Sequence, residues 1–213
     1  MSAPAFTRID PGGPAGALIL MLHGGTQDSH SMVDEKSASW RRSAWMQREI
    51  GDHAAEAGVG VWLLRYKLRG WNARQGSSPA PVADARWALE QVRRELGEVP
   101  VVLLGHSMGA RTSVAVADDP LVTGVVALAP WFPPGEPIHA LTGKHLVAAQ
   151  GRRDKITSYR ATQAYLERAH HVTASTEFHD MGRVGHYMFR KRKAWNELAV
   201  TRSLDLLQQR VPE

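Results

Sequence analysis

The 213-residue chain is predicted to be an α/β protein: a mostly parallel central sheet with helices on both faces. Three observations carry this. Short apolar, β-rich runs alternate with longer helical patterns. The central runs are near-continuously hydrophobic, as in strands buried on both faces. No internal repeat, low-complexity tract or long linker interrupts the alternation, so residues 1–213 are read as one domain.

The strands are placed at Ala17–Leu22, Gly60–Arg65, Val99–Leu104, Val122–Leu128, His145–Ala149 and Ser175–His179, with Phe6–Ile9 as a short edge strand. The helices are placed at Lys36–Gly58, Pro81–Leu96, Ala110–Ala117, Ser158–His170 and Lys191–Gln209. Pro81 and Asp84 mark the start of the second helix and Gly97 its end. Trp87, on that helix, is read as core.

Composition is that of an ordinary globular protein, 43% hydrophobic and 22% charged. There is no cysteine, which excludes disulfides, thiolate metal sites and a cysteine nucleophile. The longest apolar run, Ala15 to Leu22, falls far short of the roughly 20 residues that span a bilayer. Met1-Ser2-Ala3-Pro4 has no basic-then-apolar leader pattern, so a cytoplasmic location is expected. The formal charge is +5, yet only Arg190-Lys191-Arg192-Lys193 forms a basic run. It is read as a solvated helix start, with nucleic-acid contact as the lesser alternative.

In such sheets ligands bind at the carboxyl ends of the strands, so chemistry is sought in the residues just past each strand. After Val99-Pro100-Val101-Val102-Leu103-Leu104 comes Gly105-His106-Ser107-Met108-Gly109. A serine between a buried strand and a helix start occupies a sharp, strained turn that pushes its hydroxyl out of the sheet, a nucleophile elbow. Glycines flank it because side chains there would meet the neighbouring strand or helix. After the first main strand, His23-Gly24-Gly25-Thr26 allows backbone amides to approach a substrate oxygen closely. Gly25 or Thr26, together with the Met108 amide, is the candidate oxyanion hole. Asp154 follows Gly151 at a later strand end, and His186 lies in a glycine-containing loop beyond the last strand. Serine, acid and histidine thus appear in the order an elbow enzyme requires. His186 is preferred as the base, with His179 as its rival and His106 packed behind the elbow.

These residues resemble the α/β-hydrolase superfamily. The likeness rests on Leu20-Met21-Leu22-His23-Gly24-Gly25, Gly105-His106-Ser107-Met108-Gly109, Gly151-Arg152-Arg153-Asp154 and Gly185-His186. It implies Ser107 as nucleophile, His186 as base, Asp154 as its orienting acid, and acyl transfer to water with no metal or organic cofactor. Only Pro130 to Lys144, with Pro133, Pro134 and Pro137, stands where many members insert a lid, so little or no cap domain is expected. The chain is similar to compact bacterial carboxylesterases and dienelactone-hydrolase-like proteins. In dienelactone hydrolases proper the nucleophile is cysteine; here the position holds Ser107. The implied function is serine hydrolysis of a small-molecule carboxylic ester, thioester or lactone. An acyltransferase and a non-catalytic binding protein are the alternatives. Neither a nucleic-acid partner nor membrane insertion is expected.

Trp71, Trp131 and Phe132 are candidate substrate-binding residues, able to wall an acyl pocket or to cap the core. Arg111, in the first turn of the elbow helix, opposes the helix dipole and needs either a buried acid or an anionic substrate group. Arg65, Arg69, Arg152, Arg153 and Arg183 also fall near strand ends. A positive mouth favouring acidic esters or thioesters is the resulting expectation.

Overall fold

The computed structural model describes residues 3–73 and 77–209; Met1 and Ser2, part of the stretch read for a leader, lie outside them. A seven-stranded sheet forms the centre. In chain order the elements are β1 (Ala5–Ile9), β2 (Ala17–Leu22), α1 (Ala38–Glu56), β3 (Val59–Arg65), α2 (Ala80–Leu96), β4 (Val101–His106) and α3 (Met108–Ala115). They continue as β5 (Val122–Leu128), β6 (His145–Gln150), α4 (Tyr159–Ala169), β7 (Ser175–Asp180) and α5 (Arg192–Gln208). The strand order is β1-β3-β2-β4-β5-β6-β7. Only β1 is antiparallel, pairing with β3 at one edge; the other adjacent pairs run parallel.

Strand alternation divides the core in two. Leu18, Leu20 and Leu22 of β2 face one way with Leu103 and Val125, and are covered by Ala88 and Leu89 of α2, Val114 of α3 and Tyr165 of α4. Ile19 and Met21 face the other way with Leu63 and Val102, under Met46 and Ile50 of α1 and Trp195 and Ala199 of α5. Each successive side chain of β2 and β4 is therefore buried, which is why both strands read as unbroken apolar runs.

Boundaries moved by a residue or two from expectation. β4 extends through His106, and α3 begins at Met108 rather than Ala110, because the strand runs straight into the elbow with Ser107 as the only intervening residue. The preceding Val99-Pro100 stay outside β4. Gly97 does end α2. Asp84, expected to help start α2, instead turns inward: it is buried and accepts a hydrogen bond from the Lys67 amide at 2.8 Å. It anchors the loop after β3, and burial holds its carboxyl above the ordinary range. Trp87 is half-buried and stacks on Phe6 at 5.2 Å. Between β5 and β6 the short 3₁₀ turn His139–Leu141 is the sole helical element, so among the described residues no helical lid is inserted there. Among the described residues, no helix is long and apolar enough to cross a membrane.

Candidate active site

Ser107 has φ 56° and ψ −116°, a conformation non-glycine residues rarely adopt. Four backbone hydrogen bonds hold it there. Its amide donates to the Leu128 carbonyl at 3.1 Å, and its own carbonyl accepts from Ala110, Arg111 and Trp131 at 3.1, 3.3 and 3.2 Å. The neighbouring glycines permit the tight turn: a Cβ on Gly105 would reach 2.5 Å from the Ala110 backbone, and one on Gly109 would overlap the Leu22 carbonyl. The strain at Ser107 is thus over-determined by the close packing of β4, α3 and β2.

His186 reaches this serine although 79 positions separate them, its Nε2 lying 3.0 Å from Ser107 Oγ. The loop carrying it is sewn to the loop after β6: Arg152 N–H donates to Gly182 at 2.8 Å and Arg153 N–H to Val184 at 3.1 Å. Gly151 allows this approach, since a Cβ there would meet the Val184 carbonyl. The His186 carbonyl lies 3.2 Å from His106 Nε2, and Arg42 Nε donates to the Tyr187 carbonyl at 3.0 Å. The histidine loop is therefore tied to β4, α1 and the loop of the acid.

That acid is Asp154. Its Oδ2 lies 2.8 Å from His186 Nδ1 and also accepts from Gln150 Nε2 and Thr157 Oγ1, each at 2.8 Å. Its Oδ1 accepts the amides of Ile156 and Thr157 at 2.8 and 2.9 Å. Burial alone would raise this carboxyl; the hydrogen bonds from His186, Thr157 and Ile156 outweigh it and hold the group below its ordinary value. An ionised carboxylate accepts from Nδ1–H, which leaves Nε2 free to accept from the serine hydroxyl. Gln150 and Thr157 are not among the residues that sequence pattern singled out. The Asp-x-x-Thr spacing was a usable signal for Thr157, because a short polar side chain near an aspartate commonly closes a local turn.

His179 remains on β7 beside Glu177, 2.7 Å away, and so stands apart from the serine. His106 packs behind the elbow, its ring 5.0 Å from that of His186. Burial first, and then the neighbouring His186, lower its pKa to about 3. His23 is lowered to about 4 by burial. It lies 2.7 Å from the Gly24 carbonyl through Nδ1 and accepts the Tyr66 amide at Nε2 at 3.3 Å, which makes Nδ1–H the donor and locks the glycine loop to β3.

The two candidate amides beside Met108 differ. Thr26 N–H donates to the Arg69 carbonyl at 3.0 Å, so Thr26 is committed to pairing with the loop after β3. Gly25 packs directly against the Met108 side chain. Met108 opens α3, where backbone amides lack intrahelical partners.

Of the three aromatic candidates, Phe132 and Trp71 are both buried in the core, 4% and 5% exposed; Phe132 stacks on Tyr165 at 4.1 Å and lies away from the cavity that Trp71 lines. It follows Trp131 directly in sequence yet packs inward on Tyr165 of α4. Trp71 and Trp131 meet at 6.2 Å and line a cavity of about 340 Å3 with Gln27, Asp28, Arg111 and Pro133. Arg111 has its buried acid, Glu136, at 2.7 Å. The expected positive mouth is weaker than the residue count suggested, because Arg69 and Arg152 also face acids, Asp34 and Asp180.

The chain belongs to the alpha/beta hydrolase family, whose pattern matches residues 19–209. No curated protein matches it. Solved structures share the fold at low identity. An alpha-beta serine hydrolase homologue from Coxiella burnetii is 17% identical, with a TM-score of 0.69, covering 93% of this chain and 91% of its own. XC6422 from Xanthomonas campestris, a serine hydrolase without a lid, is 16% identical at TM-score 0.68, with coverages of 99% and 90%. Est1E from Butyrivibrio proteoclasticus, solved with ferulic acid, is 12% identical at TM-score 0.71, with coverages of 97% and 96%.

Proposed function

We propose that the protein is a cytoplasmic serine hydrolase that cleaves small-molecule carboxylic esters through Ser107, His186 and Asp154. The observation that carries this reading is the unbroken relay of 3.0 Å from Ser107 Oγ to His186 Nε2 and 2.8 Å from His186 Nδ1 to Asp154. His186 removes the hydroxyl proton as Ser107 Oγ attacks the ester carbonyl, and Asp154 stabilises the imidazolium that forms. The amides of Met108 and Gly25 receive the developing oxyanion; one such donor is typically worth about 3 kcal/mol. His186 then protonates the departing alcohol, and the acyl-enzyme forms. Water attacks this ester by the same route in reverse and frees Ser107.

The short β5–β6 connection, with no inserted helical lid among the described residues, supports water as the acceptor. Transfer to an alcohol or amine remains the second reading, since the same acyl-enzyme serves both. The test is a fluorophosphonate probe combined with turnover of short-chain esters. Labelling at Ser107, lost in Ser107→Ala along with hydrolysis in a folded protein, is the expected result. A folded Ser107→Ala that hydrolyses esters at the wild-type rate would refute it, and product partition with added alcohol separates hydrolase from transferase.

A further inference from the structure

Beside the elbow, the loops after β2, β3 and β5 and the first turn of α3 border the cavity walled by Trp71 and Trp131, and a guanidinium packs against both rings. Arg111 Cζ lies 4.1 Å from the centre of the Trp71 ring and 4.5 Å from that of Trp131. Its edge is taken by Glu136, through Nε and a terminal nitrogen both at 2.7 Å from one carboxylate oxygen. The carboxylate is 5% exposed and the arginine side chain 16%. Glu136 is itself fixed, its amide donating to Pro133 at 3.1 Å and its carbonyl accepting from Arg168 at 2.7 Å. A cation packed against two indole rings and neutralised at its edge by a buried carboxylate has little to offer an anion.

The cavity is tied to Ser107 through two residues. Arg111 and Trp131 both donate their amides to the Ser107 carbonyl, so a side chain that sets the tryptophan rings also sits on the elbow's own hydrogen-bond network. Trp71 is anchored separately, its amide donating to Thr26 at 2.9 Å. A volume of about 340 Å3 lies within the usual range of small-ligand sites.

We infer that this cavity is the subsite for an uncharged, apolar arm of the substrate, and that Arg111 is a positioning residue: paired with Glu136, it packs against Trp71 and Trp131 and fixes them as walls instead of recognising a carboxylate. The inference rests on the hydrolase reading for its location and replaces the acidic-ester expectation with a neutral-ester one. The cation on the elbow helix is thereby explained without an anionic substrate.

The test compares benzyl acetate with 4-carboxybenzyl acetate on wild type, Glu136→Gln, Arg111→Met and the double variant, with circular dichroism as the check of fold. Wild type is expected to favour benzyl acetate, chiefly through KM. Glu136→Gln, by releasing the guanidinium, shifts the kcat/KM ratio toward the carboxylated ester by about tenfold, the scale of one charge-assisted hydrogen bond. Arg111→Met raises KM for benzyl acetate more than it lowers kcat, and the double variant recovers part of that KM, because no lone buried charge is left. A wild-type preference for the carboxylated ester that weakens with salt, and that Glu136→Gln leaves unmoved, overturns the inference. Ser107→Ala provides the same comparison without turnover: benzyl alcohol and 4-carboxybenzyl alcohol are titrated by tryptophan fluorescence, with Trp131→Phe identifying the signal. Tighter binding of the neutral alcohol supports the subsite, and equal or weaker binding overturns it. If Ser107 is not labelled and no ester is cleaved, the hydrolase reading fails while this titration still decides the nature of the cavity.

Discussion

Replacing Asp154 with asparagine exchanges a single side-chain oxygen for an amide nitrogen, and the surrounding hydrogen bonds dictate which one. Two backbone amides, from Ile156 and Thr157, point at Oδ1 and cannot turn away, whereas the Gln150 amide and the Thr157 hydroxyl that donate to Oδ2 can flip or rotate, so the side chain must keep its acceptor at Oδ1. The new amide nitrogen is then forced into the place of Oδ2, facing His186 Nδ1 at about the 2.8 Å now spanned by the carboxylate oxygen. An N–H there requires Nδ1 to become an acceptor, which moves the imidazole proton to Nε2. In that tautomer Nε2 donates toward Ser107 and has no lone pair with which to take its proton. The imidazolium of the transition state also loses its counter-charge. A loss of about 10⁴ in kcat is expected, equivalent to roughly 5 kcal/mol of transition-state stabilisation. KM should change little, since Asp154 is buried away from the substrate. The assay is steady-state hydrolysis of a short-chain ester near pH 7, with fluorophosphonate labelling rates as an independent measure and thermal unfolding as the check of fold. A folded Asp154→Asn variant within tenfold of wild type would show that the tautomer argument is wrong and that another group orients the histidine.

Ser107→Gly should abolish turnover while raising unfolding free energy by about 1–3 kcal/mol, since glycine accepts the positive φ without strain; urea titration showing a loss of stability would contradict the strain assignment. Gly109→Ala should destabilise the protein by at least about 3 kcal/mol, because its Cβ meets the β2 backbone at Leu22, and a Tm unchanged from wild type would count against the packing described. Stability should also fall in acid through the two buried neutral histidines. Their folded values of about 4 for His23 and about 3 for His106 lie below the ordinary 6.5, so neither costs anything above that pH. As pH drops from 6.5 toward 4 the unfolded chain takes up protons that the folded one refuses, a penalty of roughly 2–3 kcal/mol per histidine near pH 4.5. Asp154 acts in the same direction at lower pH: its stabilisation is present above about pH 3.9 and is lost as pH falls through its lower folded value. Urea midpoints flat between pH 7 and 4.5 would sink the histidine part, and a double His23→Gln, His106→Gln variant should flatten the slope.

Most of the architecture was legible because period and punctuation suffice for it. β2 and β5 fall where their apolar runs predict, and the helices lie within two residues of expectation at each end. The elbow was readable for a local reason: strand, glycine, serine, glycine and helix are contiguous, so the sharp turn is written in one short segment even though Leu22, Leu128 and Trp131 hold it in place. The order serine, acid, histidine came from the same pattern, because strand ends are countable along the chain.

What the chain's one-dimensional pattern could not rank was competition among groups distant in sequence. Thr26 and Gly25 are equivalent as letters, yet Arg69 from the loop after β3 takes the Thr26 amide. Phe132 and Trp131 are equally aromatic, yet Tyr165 on α4 draws Phe132 into the core. Six arginines near strand ends look like a positive mouth until Glu136, Asp34 and Asp180 are seen beside three of them. Local sequence determines backbone geometry, since torsional strain, capping and side-chain periodicity act over a few residues. Only the packed molecule decides which hydrogen bonds are already taken and which charges are cancelled, because those partners meet through space once the sheet has formed.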